Sequence, residues 1–595
     1  MTEANFEFIT DQNRLEEIIP EFEKFSVLSL DTETSEYNPF KAKLFLVQLA
    51  TPKNTFVLDA LKLNILPLKY ILEAKKPLKI IQNAKFDYEV LRVKAGIKIS
   101  SIFDTMLAER ILTCGLSRDV SLKNLAEKYL GVTLDKKIRE SFYEPRNPAA
   151  RGKFSKEQLE YAAKDASILI EVFKKQLKSL EEEALIETAK LEFNLVPVVA
   201  EMELRGSLID KEKWREHIKE LELKRNLINA EIQKELRHLN PYSQVDLFGN
   251  EEDSINLDSP LQLLAVFKKL GLNLPNTSEA TLRLSDHQLA KKLLEYRAYE
   301  KMITSFGESI LEKINPDTGR LHPDFMQLGA DTGRFTCNNP NLQQIPADSG
   351  FRSCFIATPG YKLITADYSQ IELRIMAEVS EDPAFLRAFR EDRDLHSLTA
   401  SQMFKVGIAE VDKNRRFQAK SINFGLMYGR GPVSLANQIG LDIEESRRLL
   451  DIYFSTYKKV KIWLDQIAKE AIRNGHVRTL GGRKRVFSLP SKNDPDYQKL
   501  ISSIQRQGKN TPIQGTSADI TKYALIFIKE EFEKRGLDAY LIHTVHDEIV
   551  VEAREDQSQE AAKVVEEQMI RAGEKLLKKV PVKVDVRISD CWEKP

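Results

Sequence analysis

The first part of the chain carries short apolar runs separated by polar turns. FSVLSLDTET (25–34), KLFLVQLA (43–50) and NTFVLDA (54–60) are β-rich, and PLKIIQNAKFD (77–87) follows. The pattern then changes to helical spacing in SIFDTMLAERIL, VSLKNLAEKYLG and KEQLEYAAKDASILIEVFKKQLKSLEEEA. Strands followed by helices predict a sheet covered by helices, ending near residue 190. KEKWREHIKELELKRNLINAEIQKELRHL (211–239) places Leu and Ile at helical intervals between charges of both signs, the mark of an amphipathic helix with a solvated face. NPYSQVDLFGNEEDS (240–254) reads as a loop. Beyond it, YKLITADYSQIELRIMAEV runs from a strand into a helix, RRFQAKSINFGLMYGR reads as a helix, and YLIHTVHDEIVVEA reads as a hairpin turning at His546-Asp547.

The composition narrows the classes. The chain has 595 residues, and 42% hydrophobic with 30% charged positions suits a multidomain globular protein rather than a disordered one. Lys and Arg (89) balance Asp and Glu (89), so any nucleic-acid surface has to arise from local clustering of charge. Four scattered cysteines without a C-x-x-C pair argue against a disulfide framework or structural zinc, and for a reducing compartment. No signal-like N-terminus or membrane-length apolar run is evident, so a secreted protein is not expected.

Two sets of carboxylates carry the candidate chemistry. Asp31 and Glu33 lie two apart on a strand and so share one face. Asp87 follows another strand-like run, and Tyr161 and Asp165 share one face of a helix. Converging carboxylates are what hard cations such as Mg²⁺ or Mn²⁺ require. Each piece alone has a bland reading, a strand end or a helix cap. In the C-terminal part, Asp367 leaves a strand, and Asp547 sits at a hairpin tip beside Glu548. Between them Arg416, Lys420, Phe424 and Tyr428 recur every fourth residue, so about 400° of rotation per step keeps them on one slowly drifting face. That order suits a nucleotide, with phosphates on the cations and sugar and base on the rings. Taken alone, the stripe reads rather as an amphipathic helix with a buried aromatic face.

In order and in context, DTE, the Asp87 run and YAAKD resemble the DEDD family of 3′→5′ exonucleases in its tyrosine subtype. DYSQIELR, RRFQAKSINFGLMYG and HTVHDEIV resemble the three signature motifs of family A (polymerase I-like) DNA polymerases, with TGRFTCNNPNLQQIP, DLHSLTA and NTPIQGTSADI as further matching blocks. The resemblance covers nearly the whole chain. It implies an α/β multidomain protein: a ribonuclease-H-like exonuclease domain (1–190), then a right-hand polymerase domain (191–595). The thumb would span about 200–315, the palm about 316–385 and 515–595, and the fingers about 386–514.

By the same resemblance, Asp31, Glu33, Asp87 and Asp165 would hold the exonuclease metals while Tyr161 orients water. Asp367 and Asp547, with Glu548 beside them, would form the polymerase metal site. Two Mg²⁺ per active site are implied, with Mn²⁺ able to substitute. Arg416, Lys420 and His396 would hold the triphosphate of a dNTP. Phe424 and Glu372 would pack against its sugar and exclude a 2′-OH, Tyr428 would lie by the nascent base pair, and Gln370 would be a further dNTP-binding residue. Arg334, Arg352, Arg506, Asn510, Gln514 and His546 would contact primer-template DNA. A single-stranded 3′ end would enter the exonuclease site.

The implied activity is template-directed DNA synthesis with proofreading, in replication or repair. A monomer in the cytoplasm or nucleoid, or an equivalent compartment of an organelle or infected host, is expected. A nuclease-dominated processing factor and a non-catalytic DNA-binding scaffold are the rival readings. Lys213, Arg215 and Lys219 would be weak phosphate contacts or a solvated face. Cys337, where relatives commonly carry Ser, is expected near the primer strand. No room is left for the 5′-nuclease domain of many relatives, as in a short polymerase or a fragment.

Overall fold

The computed structural model describes residues 6–114, 116–117, 119–134, 137–142, 153–236, 239, 244–245, 251–252, 254–347, 350–427, 429, 431–439 and 441–595. Its N-terminal part is built on a six-stranded sheet of β1 (Phe6–Ile9), β2 (Val27–Thr34), β3 (Leu44–Ala50), β4 (Thr55–Asp59), β5 (Leu78–Ile81) and β6 (Ile102–Asp104). The spatial order is β1-β4-β3-β2-β5-β6. The neighbours β3 and β4 are buried at every position, which accounts for their nearly unbroken apolar runs. The helix Lys156–Glu182 starts in a capping box between Ser155 and Gln158 and lies against the sheet. Ala162, Ala163 and Ala166 are fully buried, and their small side chains permit a close approach. The Ser29 hydroxyl donates to the Ala166 carbonyl at 2.7 Å and locks it. This packing sets Tyr161 and Asp165 above β2.

A helix Ile186–Arg205 crosses residue 190 and packs on helix Ala84–Ala95, helix Tyr497–Arg535 and strand Ala539–Val545. It stops at Gly206 (φ 62°), where a Cβ would lie 2.4 Å from the Leu321 carbonyl oxygen. Helices Lys211–Leu236 and Gln288–Phe306 pack together around their own apolar cluster, which includes Ile232, Val266, Phe267 and Leu293. Trp214, fully buried, roots the first of them in the main core and donates its indole N–H to the Phe306 carbonyl at 3.0 Å. Within the stretch expected as a loop, Gln244–Val245 and Glu251–Glu252 pair as a short antiparallel ladder.

The C-terminal part is centred on a four-stranded antiparallel sheet: Ala539–Val545, Glu548–Arg554, Tyr361–Tyr368, Val584–Ser589 in spatial order. Helices Ser558–Leu576 and Tyr497–Arg535 lie beside it. Between the first strand of this sheet in the chain and the long helix comes a run of helices from Ile371 to Asn474, then the hairpin His476–Arg478/Lys484–Val486. One apolar cluster is continuous from the linking helix through the sheet into these helices. Among the described residues no helix is long and apolar enough to cross a membrane.

Candidate active sites

In the N-terminal sheet, alternation along β2 puts Asp31 and Glu33 on one face and Thr32 on the other. The Thr32 hydroxyl donates to Asp87 Oδ1 at 2.7 Å in a buried contact. Asp87 sits in the first turn of helix Ala84–Ala95. That helix start is held by Asp104, whose carboxylate accepts from the backbone N–H groups of Asn83 (3.2 Å) and Ala84 (2.8 Å) and also caps the next helix. Asp104 was not signalled by any motif. The Tyr161 hydroxyl is hydrogen-bonded to Asp165 and lies in the field of Glu33 and Asp31; burial first, then these charges, hold its pKa far above the usual value. Tyr161, Asp165, Glu33 and Asp31 are thereby brought together. Among the described residues no three Asp, Glu, His or Cys side chains already stand grouped as ligands to one ion.

A cavity of about 760 Å³ opens between the two halves, lined by Tyr37, Phe40, Asn83, Phe86 and His322 among others. Lys85 forms part of its wall and bridges the halves through Glu203 (2.7 Å), Asp324 (2.6 Å) and the Phe325 carbonyl (2.8 Å).

In the C-terminal sheet, Asp367 pairs in register with Glu548 on one side and Asp585 on the other, so three carboxylates share one row. His546 takes a positive φ (56°) at the hairpin tip and is exposed, and the Asp547 carbonyl accepts from Tyr368 N at 3.4 Å. Burial, then Glu548, raises the Asp367 pKa to about 6. Burial, then Asp367 and Glu372, raises that of Asp547 to about 7. Glu548 is engaged inside the protein: both oxygens accept from Arg352 Nη1 (3.0 and 2.9 Å), and Oε1 accepts from the Trp592 indole N–H at 2.6 Å. Arg352, expected on DNA, is buried and stacked over Trp592 at 4.2 Å, with Nη1 on Glu548 and Nε without a hydrogen-bond partner. Arg334 is ion-paired to the buried Glu372.

Helix Lys413–Met427 exposes Arg416 and Lys420 and half-buries Phe424, as the spacing predicts. Tyr428 lies outside the described residues. Arg416 is held by Asp394 (2.7 Å), which also caps helix Leu395–Phe404. His396 is buried, its Nδ1 facing Asn423 Nδ2 at 3.0 Å and its ring 5.7 Å from that of Phe424. An amide N–H can only donate, so Nδ1 accepts and Nε2 carries the proton. Burial, helped by Arg416 and Lys420, lowers the His396 pKa to about 4, so the ring is neutral at physiological pH. Helix Tyr497–Arg535 presents Arg506, Asn510 and Gln514 at four-residue spacing. Gly429 (φ 65°) abuts Arg506, where a Cβ would come within 2.8 Å. Gln370 Oε1 and Asn510 Oδ1 are buried without a hydrogen-bond partner.

Residues 224–594 match the family model described as DNA polymerase family A, and residues 6–181 match that of a 3′-5′ exonuclease. The chain belongs to DNA polymerase family A. Among its relatives, the DNA polymerase I of Pseudomonas aeruginosa is 33% identical over 99% of this chain and 66% of the relative. That of Aquifex aeolicus is 33% identical over 99% of this chain and 100% of the relative. The chain thus spans the full length of one of these relatives and about two thirds of the other. The POL domain of Pol1 from M. smegmatis, solved in complex with DNA primer-template and dNTP, has a TM-score of 0.84. It is 26% identical, over 98% of this chain and 99% of that one. This family A polymerase therefore carries an exonuclease domain followed by a polymerase domain.

Cys337 is fully buried, its thiol donating to the Pro340 carbonyl at 3.3 Å, and as the middle residue of strand Thr336–Asn338 it points into the core. Lys213 donates to the Ser353 carbonyl (2.9 Å) and Arg215 pairs with Glu212 (2.7 Å), as on a solvated face. Residues that sequence reasoning missed include Asp394, Asn423 and Trp592, and also a buried network, Glu192–Lys522–Arg483–Asp519. Only Asp394 had a local signal, as the first residue of DLHS ahead of a helix.

Proposed function

We propose that the chain extends a DNA primer along a template by adding dNTPs to the 3′-OH, and removes mispaired 3′ ends hydrolytically at its second site. The observation that carries this reading is the carboxylate group at the hairpin tip, where burial and Glu548 raise the pKa of Asp367 and burial and Asp367 raise that of Asp547, beside a helix that exposes Arg416 and Lys420 and half-buries Phe424. The donors fit a hard divalent cation: they are carboxylate oxygens whose mutual repulsion a 2+ charge relieves. Asp367 and Asp547 would hold Mg²⁺, or Mn²⁺ in its place, two ions per site, supplying Lewis acidity to the attacking 3′-OH and the α-phosphate.

The protein's own groups do the rest. Arg416 exchanges Asp394 for the triphosphate, Lys420 adds a second cation, and His396 offers Nε2–H to a phosphate oxygen. Phe424, Glu372 and Gln370 enclose the sugar, and the orphaned Gln370 and Asn510 oxygens accept from substrate. Arg334, Arg506, Asn510, Gln514 and His546 line the DNA, whereas Arg352 and Glu548 brace the hairpin that carries Asp547. In the exonuclease site Asp31, Glu33, Asp87 and Asp165 would hold the same class of cation, and Tyr161 orients the attacking water, as its bond to Asp165 supports. The protein is proposed to act as a monomer.

The test is a gel assay on a 5′-labelled primer annealed to a longer template in Mg²⁺. Extension with dNTPs and shortening without them is the expected outcome. Shortening without extension would instead favour the nuclease-dominated reading.

A further inference from the structure

The segment after the last strand returns across the polymerase sheet and delivers a cation to its carboxylate row. Its path is fixed by backbone pairing: Ala357 N donates to the Asp590 carbonyl (2.9 Å), Ile356 bridges Cys591, and Trp592 N donates to the Phe355 carbonyl (2.9 Å). Trp592 is the anchor. It is buried against Phe355 and His543, with its indole N–H on Glu548 at 2.6 Å. Glu593 is ion-paired to Arg587 on the edge strand. Two residues past Trp592, on the same side of an extended segment, comes Lys594. Trp592 reaches Glu548; Lys594 reaches the cross-strand neighbour of Glu548, with Nζ 4.0 Å from Asp367 Oδ2.

We propose that Lys594 is the resident counter-cation of the polymerase carboxylates. It neutralises Asp367 when no divalent ion is bound, swings away when one arrives, and so sets how tightly that site takes metal before substrate binds. The row Asp585–Asp367–Glu548 brings three like charges into register, an arrangement that needs cations. Arg352 answers Glu548 from within the core and is fixed there. Lys594 answers Asp367 from outside, and its 61% exposed side chain in a long, single contact is free to leave. A fixed cation would block the site, whereas a tethered, displaceable one lowers its affinity for metal without occupying it permanently.

This inference rests on the proposed metal site at Asp367, and the test separates the two. The probe is Mn²⁺, titrated into the full chain without DNA and followed by the EPR signal of the free ion. Asp367→Asn should abolish one class of Mn²⁺ site and leave the exonuclease class. Lys594→Gln should tighten that same class by roughly three- to tenfold. This is the effect of removing one positive charge about 6 Å from a divalent ion in water, with and without physiological screening. Lys594→Arg should stay close to the unaltered protein. If Asp367→Asn leaves every class intact, the metal-site reading fails and this inference with it. If Asp367→Asn removes a class whose affinity Lys594→Gln does not change, or if Lys594→Gln shifts both classes equally, the role of Lys594 alone is overturned.

Discussion

Glu192→Gln would break the most deeply buried ionic contact between the linking helix and the polymerase half. Glu192 Oε1 meets Lys522 Nζ and Arg483 Nη2, each at 2.5 Å, and Oε2 accepts from Gln327 at 3.0 Å. Arg483 also holds Asp519, at 2.7 Å. Two cations and two anions thus balance, with exposures of 7% or less. The substitution leaves a net positive charge in the core. Breaking a buried pair from one side costs about 3–5 kcal/mol, and the lower end applies because Lys522 can shed its proton. Burial already lowers the Lys522 pKa to about 8, with Glu192 opposing the fall.

The pH dependence distinguishes this mechanism from simple loss of packing. A lysine whose folded pKa lies below its unfolded value of about 10.4 makes the unfolded state the better proton binder, so stability rises with pH between the two values. In the unaltered protein that rise begins near pH 8. Without Glu192 the folded pKa drops further and the rise begins lower. The deficit of Glu192→Gln should therefore shrink between pH 7 and 8, by up to about 1.4 kcal/mol. Urea unfolding followed by tryptophan fluorescence at pH 6.5, 7.5 and 8.5 measures this. Adding Lys522→Met should recover at least half of the loss at pH 7. A deficit below about 1 kcal/mol, or one independent of pH and unrelieved by Lys522→Met, would refute the reasoning.

Asp547→Ala should abolish primer extension and leave 3′→5′ digestion within about twofold, while Asp31→Ala should do the reverse and raise misincorporation in a fidelity assay, since the two sites share no carboxylate. Phe424→Tyr should increase dideoxynucleotide incorporation, read as earlier termination at fixed ddNTP:dNTP ratios; an unchanged ratio counts against packing of Phe424 on the sugar. Because Asp367 and Asp547 titrate at about 6 and about 7, protons compete with the cation over that window. The Mg²⁺ concentration for half-maximal extension should therefore climb as pH falls from 8 to 6, and a flat dependence would exclude these carboxylates as the ligands.

What could be read from the residues in advance is what obeys a local period. Alternation in β2 put Asp31 and Glu33 on one face. Spacing of four put Tyr161 over Asp165 and aligned Arg416, Lys420 and Phe424. The hairpin tip at His546-Asp547 follows from two β-rich runs around a polar pair. The contacts that hold these groups in place obey no such period. Arg483 and Glu192 are 291 positions apart, and Lys522 and Glu192 are 330 apart; nothing around either end marks the other. Asn423 sits in the signature helix but off its exposed face, and matters because it fixes which nitrogen of His396 carries the proton. The burial of Cys337 was not legible in this way either, because alternation in a three-residue strand sets its side chain opposite those of its neighbours without saying which face is inward.

The linking helix joins these two kinds of information. Its apolar residues follow a helical period and show only that it is buried, but its carboxylates are assigned by what they face. Glu201 accepts from Arg92 and Tyr88 of the exonuclease part. Glu203 accepts from Lys85 of that part and from the Phe325 backbone of the polymerase part. Glu192 faces the polymerase helix that also carries Arg506 and Asn510. One helix therefore grips both catalytic parts through its carboxylates, of which Glu192 and Glu203 are buried, and buried ion pairs are intolerant of loosening because each lost partner strands a charge. Substitutions along it should move exonuclease and polymerase activities together, whereas substitutions in either carboxylate row should separate them.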